Sequence, residues 1–404
     1  MIKSLRGMND ILNDDDYRRY THFIKTATQV AERYGFHFIE TPILEETALF
    51  KRSVGESSDI VGKEMYQFTD KGDNDVCMRP EGTAGVVRAF IQNKLDRAGG
   101  IHRYFYHGPM FRYERPQKGR LRQFHQFGCE SFGVASVYED ATMIMMISDI
   151  LKELGIGYRL QLNSLGDHNC MPQYRDDLVK FIESVEDQIC DDCKRRKSTN
   201  PIRVLDCKNG TCQELYINAP KLIECLCQEC ESDFTELKKI LDDSGIEYEI
   251  DTNLVRGLDY YSKTAFEFVS DNIGSQSAIA GGGRYDRLVE FLDGRETPAV
   301  GFAMGIERLL ELIEMPENKR EGYYMGAMDD EALPLVLELT HKKRSSEKVT
   351  CEYKRKNLKN HLKGADKVNA RYCCVIGTNE LENNTVWVKD LEAKTEEMVK
   401  LEDF

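Results

Sequence analysis

The sequence of 404 residues lacks any long run of apolar residues. No stretch approaches the roughly eighteen consecutive apolar residues that indicate a membrane-spanning helix. Residues 1–20 carry too many charges to form the apolar core of a secretory signal. Tryptophan occurs once, yet 41% of the residues are hydrophobic, which is ordinary for a globular protein. We therefore expect a soluble, cytoplasmic chain of two or three domains with no membrane partner.

The cysteines do not indicate a set of disulfides. Their number, thirteen, is odd, and without an export signal they indicate free thiols or metal ligands. Two Cys-x-x-Cys pairs, Cys190/Cys193 and Cys227/Cys230, have Cys207, Cys212 and Cys225 between them. This spacing is compatible with a tetrahedral zinc site. It is equally compatible with cysteines that act as small buried hydrophobic residues.

Acidic residues outnumber basic ones, 69 to 55, which gives a formal net charge of -14, but positive charge is concentrated locally. Five cations lie between Arg112 and Arg122, four between Lys194 and Lys197, and five between Lys354 and Lys363. Charges interact over only about 8 Å at physiological salt, so that a polyanion responds to such a patch and hardly to the total. The net charge therefore does not exclude a nucleic-acid partner, although each run also suits a solvated surface.

The segment from Met110 to Glu130 carries the most specific pattern. Apolar and aromatic residues alternate with arginine and glutamate on both sides of a basic turn, Pro116 to Gly119, which predicts strand, loop and strand. Arginine pairs bidentately with phosphate, and Glu114 and Glu130 are able to orient such arginines or bind a cationic group. The pattern suits a polyphosphate site, and charge spacing alone suits a solvated hairpin equally well.

Several sequence blocks resemble those of one enzyme family. The run Phe111-Arg112-Tyr113-Glu114, with Arg122, Phe124 and Glu130, resembles motif 2 of the class II aminoacyl-tRNA synthetases in its histidyl-tRNA synthetase form. Residues 35–44 resemble motif 1 and residues 301–310 resemble motif 3. Blocks 254–261 and 280–286 resemble two that are peculiar to the histidine enzymes. The resemblance runs in the family's order from Arg6 to about residue 315, and more loosely to the end.

The resemblance implies an α+β fold. We expect a class II antiparallel sheet flanked by helices, formed by residues 1–165 (motifs 1 and 2) and 247–320 (histidine-specific blocks and motif 3). Residues 166–246 form a helical, cysteine-rich insertion that contacts the tRNA acceptor stem, and residues 321–404 form an α/β anticodon-binding domain. Apolar periodicity predicts helices at 14–34, 138–154, 287–292 and 305–314, and strands at 36–43, 158–163 and 264–269. After residue 322, alternating strands and helices predict a mostly parallel sheet.

The implied function is the ATP-dependent activation of L-histidine to histidyl-adenylate and its transfer to tRNA(His). By resemblance, Arg112 binds the α-phosphate, Arg308 binds the γ-phosphate and one face of adenine, and Arg256 binds the histidine carboxylate and the α-phosphate. Phe124 stacks on the other face of adenine, while Glu114 and Arg120 contact the nucleotide. Magnesium accompanies ATP, held mostly through phosphate oxygens and water. The motif 1 resemblance implies a homodimer.

Histidine recognition is assigned to a second group by resemblance. Glu81, Thr83 and Gln126 bind the α-ammonium, Glu130 and Tyr261 bind the imidazole, and Tyr260 lies beside them. A pocket that pairs both the donor and the acceptor of a neutral imidazole rejects analogues that lack either.

Three alternatives accompany this interpretation. Residues 281–286, with three consecutive glycines, make a poor nicotinamide fingerprint because the third glycine of GxGxxG is missing, so we expect close backbone approach to a ligand instead. A catalytically silent relative, such as the regulatory subunit of ATP phosphoribosyltransferase, would share the fold but lose the activation residues. Structural zinc is not favoured, because the histidine enzymes are not generally zinc proteins.

Overall fold

A computed structural model describes residues 2–12, 14–55, 58–205, 207–254, 258, 260–273, 277–314 and 317–404. The chain divides into two compact units, residues 1–315 and 316–404. Within the described residues, no helix is both long and apolar enough to cross a membrane.

The first unit contains eleven α-helices among its described residues. They are α1 (Asp14–Arg33), α2 (Thr47–Val54), α3 (Thr83–Gln92), α4 (Leu95–Ala98), α5 (Val137–Glu153), α6 (Met171–Ser184), α7 (Asp191–Thr199), α8 (Gly210–Tyr216), α9 (Gln228–Asp243), α10 (Leu288–Phe291) and α11 (Ile306–Leu310).

Its described strands form one large and one small sheet. They are β1 (His37–Phe38), β2 (Leu44–Glu46), β3 (Gln67–Thr69), β4 (Asp75–Met78), β5 (His102–Phe111), β6 (Gln123–Phe132), β7 (Arg159–Ser164), β8 (Glu249–Ile250), β9 (Ser262–Val269), β10 (Ala278–Arg284) and β11 (Ala299–Gly305). The large sheet has the order β1-β5-β6-β11-β10-β9-β7-β8, and the small one β2-β4-β3. The large sheet is antiparallel except at its two ends, where β1 pairs with β5 and β8 with β7 in parallel.

Alternation along the central strands gives the large sheet two different faces. Phe127 of β6, Phe266 of β9 and Phe302 of β11 are buried in the main hydrophobic core. Helices α1, α5 and α9 add apolar side chains to that core, for example Phe23 and Ile147. Successive residues of a strand point to opposite faces of the sheet. The residues directly before and after each of these phenylalanines therefore face away from the core. That second face carries the candidate site.

The segment between β7 and β8 has a small core of its own. It contains α6 to α8 and the first turns of α9, and its buried residues include Tyr174, Leu178, Ile182 and five cysteines. Further along α9, Phe234, Leu237 and Leu241 belong to the main core instead. The described residues of this segment confirm its predicted helical character with four α-helices, of which α8 is too short to give a clear period in the sequence.

The second unit is a mixed sheet with helices. Its elements are β12 (Tyr323–Ala327), α12 (Leu333–Lys343), β13 (Val349–Cys351), α13 (Leu358–Lys367), β14 (Tyr372–Ile376), α14 (Thr378–Glu382), β15 (Thr385–Asp390) and β16 (Thr395–Lys400). The order is β13-β12-β14-β15-β16. The first two pairings are parallel and the last two antiparallel, so the prediction of a mostly parallel sheet is wrong. The sequence pattern missed β16, whose residues are mostly exposed.

Candidate active site

One cavity on the second face of the large sheet brings the predicted site residues together. Its wall includes Glu81, Thr83, Arg112, Glu114, Arg120, Phe124, Gln126, Tyr260, Tyr261 and Arg308. These residues come from four distant parts of the chain, which the sheet order makes neighbours. Of the other two predicted residues, Glu130 is fully buried behind the wall, and Arg256 lies outside the described residues.

Arg112 is held at the point where β5 ends. Its Nε donates a hydrogen bond to the carbonyl oxygen of Pro80 at 2.9 Å. Its guanidinium carbon lies 5.3 Å from the centroid of the Phe124 ring, within the range of a cation–π contact. The backbone bond leaves the terminal nitrogens of the guanidinium to serve as donors within the cavity, an arrangement that suits a phosphate oxygen.

Arg308 and Arg120 add positive charge to the same wall. Arg308, on α11, donates from Nε to the carbonyl of Gly119 at 2.9 Å and from a terminal nitrogen to that of Ala278 at 2.6 Å. Burial lowers the pKa of Arg308, and the positive charge of Arg120 lowers it further. Arg120 itself forms an ion pair with Glu114. Arginines close enough to disfavour each other's charge are a characteristic of sites that bind anions.

Glu81 and Thr83 also belong to the cavity wall. The carboxylate of Glu81 accepts hydrogen bonds from the backbone N–H of Thr83 at 2.7 Å and of Ala84 at 2.9 Å. These are first-turn donors of α3, which a helix leaves unsatisfied. Burial raises the pKa of Glu81, and those two backbone bonds oppose the rise. A buried carboxylate fixed in this way is suited to a ligand ammonium.

Glu130 lies beneath Thr83 and is 0% exposed. It accepts hydrogen bonds from Thr83 Oγ1 at 2.7 Å and from the hydroxyl of Tyr106 at 3.2 Å, and also from the hydroxyl of Tyr285. Burial raises its pKa to about 8. Glu130 is therefore connected to the cavity through Thr83, which is part of the wall. It is mostly protonated at neutral pH.

Gln126 and Tyr260 supply polar atoms to the wall beside Thr83. Within the described part of the chain, the side-chain oxygen of Gln126 is buried without a hydrogen-bond partner. Burial raises the pKa of Tyr260 well above its usual value, and its ring lies 4.7 Å from that of Tyr261 between centroids. A buried amide oxygen costs free energy unless it is paired, so this part of the cavity suits a ligand with an N–H donor.

Two carboxylates of the wall were absent from the sequence prediction. Glu267 lies between Phe266 and Phe268 on β9, and both phenylalanines are buried in the core. The alternation of β9 therefore indicates that Glu267 faces the cavity, and this signal was available in the sequence. Glu307 accepts hydrogen bonds from the backbone and ring nitrogens of His125 at 2.8–3.0 Å, which ties α11 to β6.

The three glycines at 281–283 belong to strand β10 and not to a loop. Gly281 lines the cavity, as the predicted close approach requires. A Cβ on Gly282, however, would meet the carbonyl oxygen of Gly301, Phe302 Cβ at 2.7 Å and Phe266 Cζ at 2.8 Å. The expectation of ligand approach is therefore compatible with Gly281 alone, and Gly282 is required by packing between β9 and β11.

Comparisons with known proteins identify similar chains over the full length. A histidyl-tRNA synthetase profile matches residues 7–309, and an anticodon-binding-domain profile matches residues 317–404. The chain is 76% identical over 404 residues to a histidine–tRNA ligase of Sulfurimonas denitrificans, with 100% of both chains covered.

Solved structures give the same result. The apo histidyl-tRNA synthetase of Staphylococcus aureus has 36% identity and a TM-score of 0.84, covering 100% of this chain and 98% of that chain. A Bacillus halodurans protein, described as an ATP phosphoribosyltransferase regulatory subunit/histidyl-tRNA synthetase, has 21% identity and a TM-score of 0.66, covering 93% and 98%. At that identity the second similarity concerns the fold alone.

Proposed function

Because the chain belongs to the histidyl-tRNA synthetase family, we propose that it activates L-histidine with ATP and transfers the histidyl group to tRNA(His). The fold is the α+β fold of that family, with a large antiparallel sheet and a C-terminal anticodon-binding domain. In the first step a carboxylate oxygen of histidine bonds to the α-phosphorus of ATP, and the bond from that phosphorus to the bridging oxygen breaks. The products are histidyl-adenylate and pyrophosphate.

This reaction requires positive charge in the site, because the histidine carboxylate must approach the phosphates of ATP and both are anions. Negative charge also develops on the phosphoryl oxygens and on the leaving pyrophosphate. The histidine carboxylate is already ionised, so that no general base is needed. The observation that supports the proposal most strongly is that Arg112, Arg120 and Arg308 lie on one cavity wall, with Arg112 and Arg308 each held by backbone carbonyls.

We assign nucleotide binding to the arginines of the cavity wall and the residues that contact them. Arg112 binds the α-phosphate, Arg308 binds the γ-phosphate and one face of adenine, and Phe124 stacks on the other face. Glu114 and Arg120 contact the nucleotide as a pair, and their ion pair supports this assignment. Arg256, outside the described residues, is assigned to the histidine carboxylate and the α-phosphate by resemblance alone.

We assign histidine binding to a second group of wall residues. Glu81, Thr83 and Gln126 bind the α-ammonium, and the unpaired Gln126 oxygen supports this role. Glu130 and Tyr261 recognise the imidazole, Tyr261 from the wall and Glu130 through the side chains that cover it, with Tyr260 packed beside them. Glu130 also fixes Thr83 through their hydrogen bond. Buried groups that are left unpaired by a wrong ligand would supply the specificity.

Magnesium is proposed to accompany ATP and to neutralise phosphate charge. Two carboxylates of the wall fit only a partial role, since Glu114 is paired with Arg120 and Glu307 with His125. The ion would therefore be held chiefly by phosphate oxygens and water, with few protein ligands.

The remaining proposals concern the whole chain. The catalytic core comprises residues 1–165 and 247–320, the insertion 166–246 contacts the tRNA acceptor stem, and residues 321–404 bind the anticodon. The protein acts as a cytoplasmic homodimer. In support of a dimer, Phe38, Ile43 and Leu44 of the motif 1 segment are 40–51% exposed near the open β1 edge of the large sheet.

Pyrophosphate exchange tests the function. We expect histidine-dependent incorporation of labelled pyrophosphate into ATP, with no incorporation when histidine is omitted. Arg112→Ala should lower this rate about 100-fold, corresponding to roughly 2.7 kcal/mol for one lost electrostatic contact. Arg33→Ala is the matched control, because Arg33 pairs with Glu153 on an exposed surface away from the cavity wall.

Two results would contradict the proposal. A folded wild-type chain without exchange activity would favour a catalytically silent relative. A loss of tenfold or less in Arg112→Ala would remove that arginine from the α-phosphate.

A further inference from the structure

The cysteine-rich segment contains a compact group of four thiols. The Sγ atoms of Cys190, Cys193, Cys207 and Cys212 all lie within 4.8 Å of one another. The Sγ atoms of Cys190 and Cys207 are 3.7 Å apart. In a tetrahedral zinc site the Zn–S distance of about 2.3 Å places ligand sulfurs roughly 3.8 Å from each other. The four thiols therefore have the spacing of ligands around one ion.

Backbone groups around these thiols are arranged as they are around metal-bound thiolates. The N–H of Cys190 donates to Cys212 Sγ at 3.3 Å, and the N–H of Asn209 donates to Cys207 Sγ at 3.5 Å. Asn209 also caps α8 by accepting from the N–H groups of Thr211 and Cys212. Hydrogen bonds of this kind fix the orientation of ligand atoms and stabilise their negative charge.

The two helices that carry Cys193 and Cys212 bury few other side chains. Cys193 is the one described residue of α7 that is buried, and α8 buries only Cys212 and Tyr216 among its described residues. The remainder of α7 is charged or polar. A small core gives little stability to a segment of this size, and structural metals commonly supply the rest.

We propose that Cys190, Cys193, Cys207 and Cys212 bind one structural zinc ion as thiolates. Binding releases the thiol protons to solvent and involves no change of oxidation state. The zinc ion would add to the interactions that stabilise the small core of the insertion. The site lies outside the cavity that the proposed function uses. Its success or failure is therefore independent of histidine activation.

A second group of four side chains has interatomic distances that also suit a zinc site. Asp167, Cys170, Cys227 and Cys230 place one ligand atom each within 4.8 Å of one another. Cys170 Sγ lies 3.4 Å from Asp167 Oδ1, and the N–H of Cys227 donates to Cys170 Sγ at 3.2 Å. Three thiolates and one carboxylate also make a closed tetrahedral set for zinc. We propose a second zinc ion here, at the start of α9.

The chain contains a matched control for both sites. Cys225 lies in the same segment, between Cys212 and Cys227 in sequence, yet it belongs to neither group. A general effect of removing a thiol from this segment would appear in Cys225→Ser. An effect caused by the loss of a metal ligand would be absent from Cys225→Ser.

Elemental analysis of the full-length protein, purified with reductant and without chelator, tests the proposal. We expect two equivalents of zinc per chain, one in Cys207→Ser, one in Cys227→Ser and two in Cys225→Ser. Less than a tenth of an equivalent in the wild type would overturn both sites. Two equivalents of zinc in Cys207→Ser would overturn the first site. Two equivalents in Cys227→Ser would overturn the second site.

A measurement on the wild type avoids variants that fail to fold. Cobalt(II) exchanged into the full chain should give the intense visible bands of tetrahedral thiolate coordination, which zinc should then abolish. A weak, octahedral-type spectrum would overturn the proposal. So would a disulfide between Cys190 and Cys207 in freshly isolated, metal-free protein.

Discussion

At the scale of single residues, Glu130 links the stability of the fold to pH. Its pKa is raised from 4.5 to about 8 by burial, so the folded chain keeps a proton that the unfolded chain loses. Between those two pH values the folded state binds more protons, and stability therefore falls as pH rises through this window. Below the window and above it, Glu130 contributes no pH dependence.

Glu130→Gln should remove this dependence, because the amide does not titrate. We expect the melting temperature of the variant to rise relative to that of the wild type between pH 5 and pH 8.5, as measured by circular dichroism at several pH values. Glu214→Gln, at an exposed position, is the control and should follow the wild type. Identical pH profiles for Glu130→Gln and the wild type would show that Glu130 ionises normally.

The sequence predicts the polar side chains of the cavity wall, apart from two carboxylates, better than it predicts the side chains behind the wall. Arg112, Glu81 and Arg308 stand in blocks that resemble family motifs, and the cavity wall contains all three. Tyr106 and Tyr285 were not predicted, although their hydroxyls contact Glu130. Their roles depend on pairing between distant strands, which no local pattern encodes.

At the scale of secondary-structure elements, the pattern succeeds where an apolar face is long. Helices α1 and α5 agree with the predicted ranges to within one residue at each end. Strands β10 and β11 were missed because glycine and alanine, which dominate them, have low strand propensity. Motif 1 predicts a strand over residues 36–43, yet only His37–Phe38 pair with β5. The chain then turns through Pro42, which lacks a backbone donor.

The close packing of β10 gives an element-scale prediction. Gly282→Ala would force a methyl group against the backbone of β11 and against Phe266 and Phe302. Overpacking of this kind typically costs about 1–3 kcal/mol, so the melting temperature should fall by several degrees. Gly157→Ala is the control, because a Cβ there would meet no atom within 4 Å. Equal melting temperatures for the two variants would contradict the packing of β10.

At the scale of the whole molecule, the proposed dimer makes a prediction about the motif 1 segment. Leu44 and Ile43 are 49% and 40% exposed, and exposed apolar side chains in a cluster commonly mark an interface. Ile43→Asp/Leu44→Asp should therefore shift the protein from dimer to monomer in light scattering after gel filtration. Ile217→Asp, at another exposed apolar position, should remain dimeric. A monomeric wild type would refute the assignment.

Helix α9 belongs to two cores at once. Cys230 near its start is buried in the core of the insertion, while Leu237 and Leu241 are buried in the core beneath the large sheet. Its sixteen residues span about 24 Å. Because one helix is anchored in both cores, we expect a displacement of the insertion to shift the packing beneath the large sheet as well.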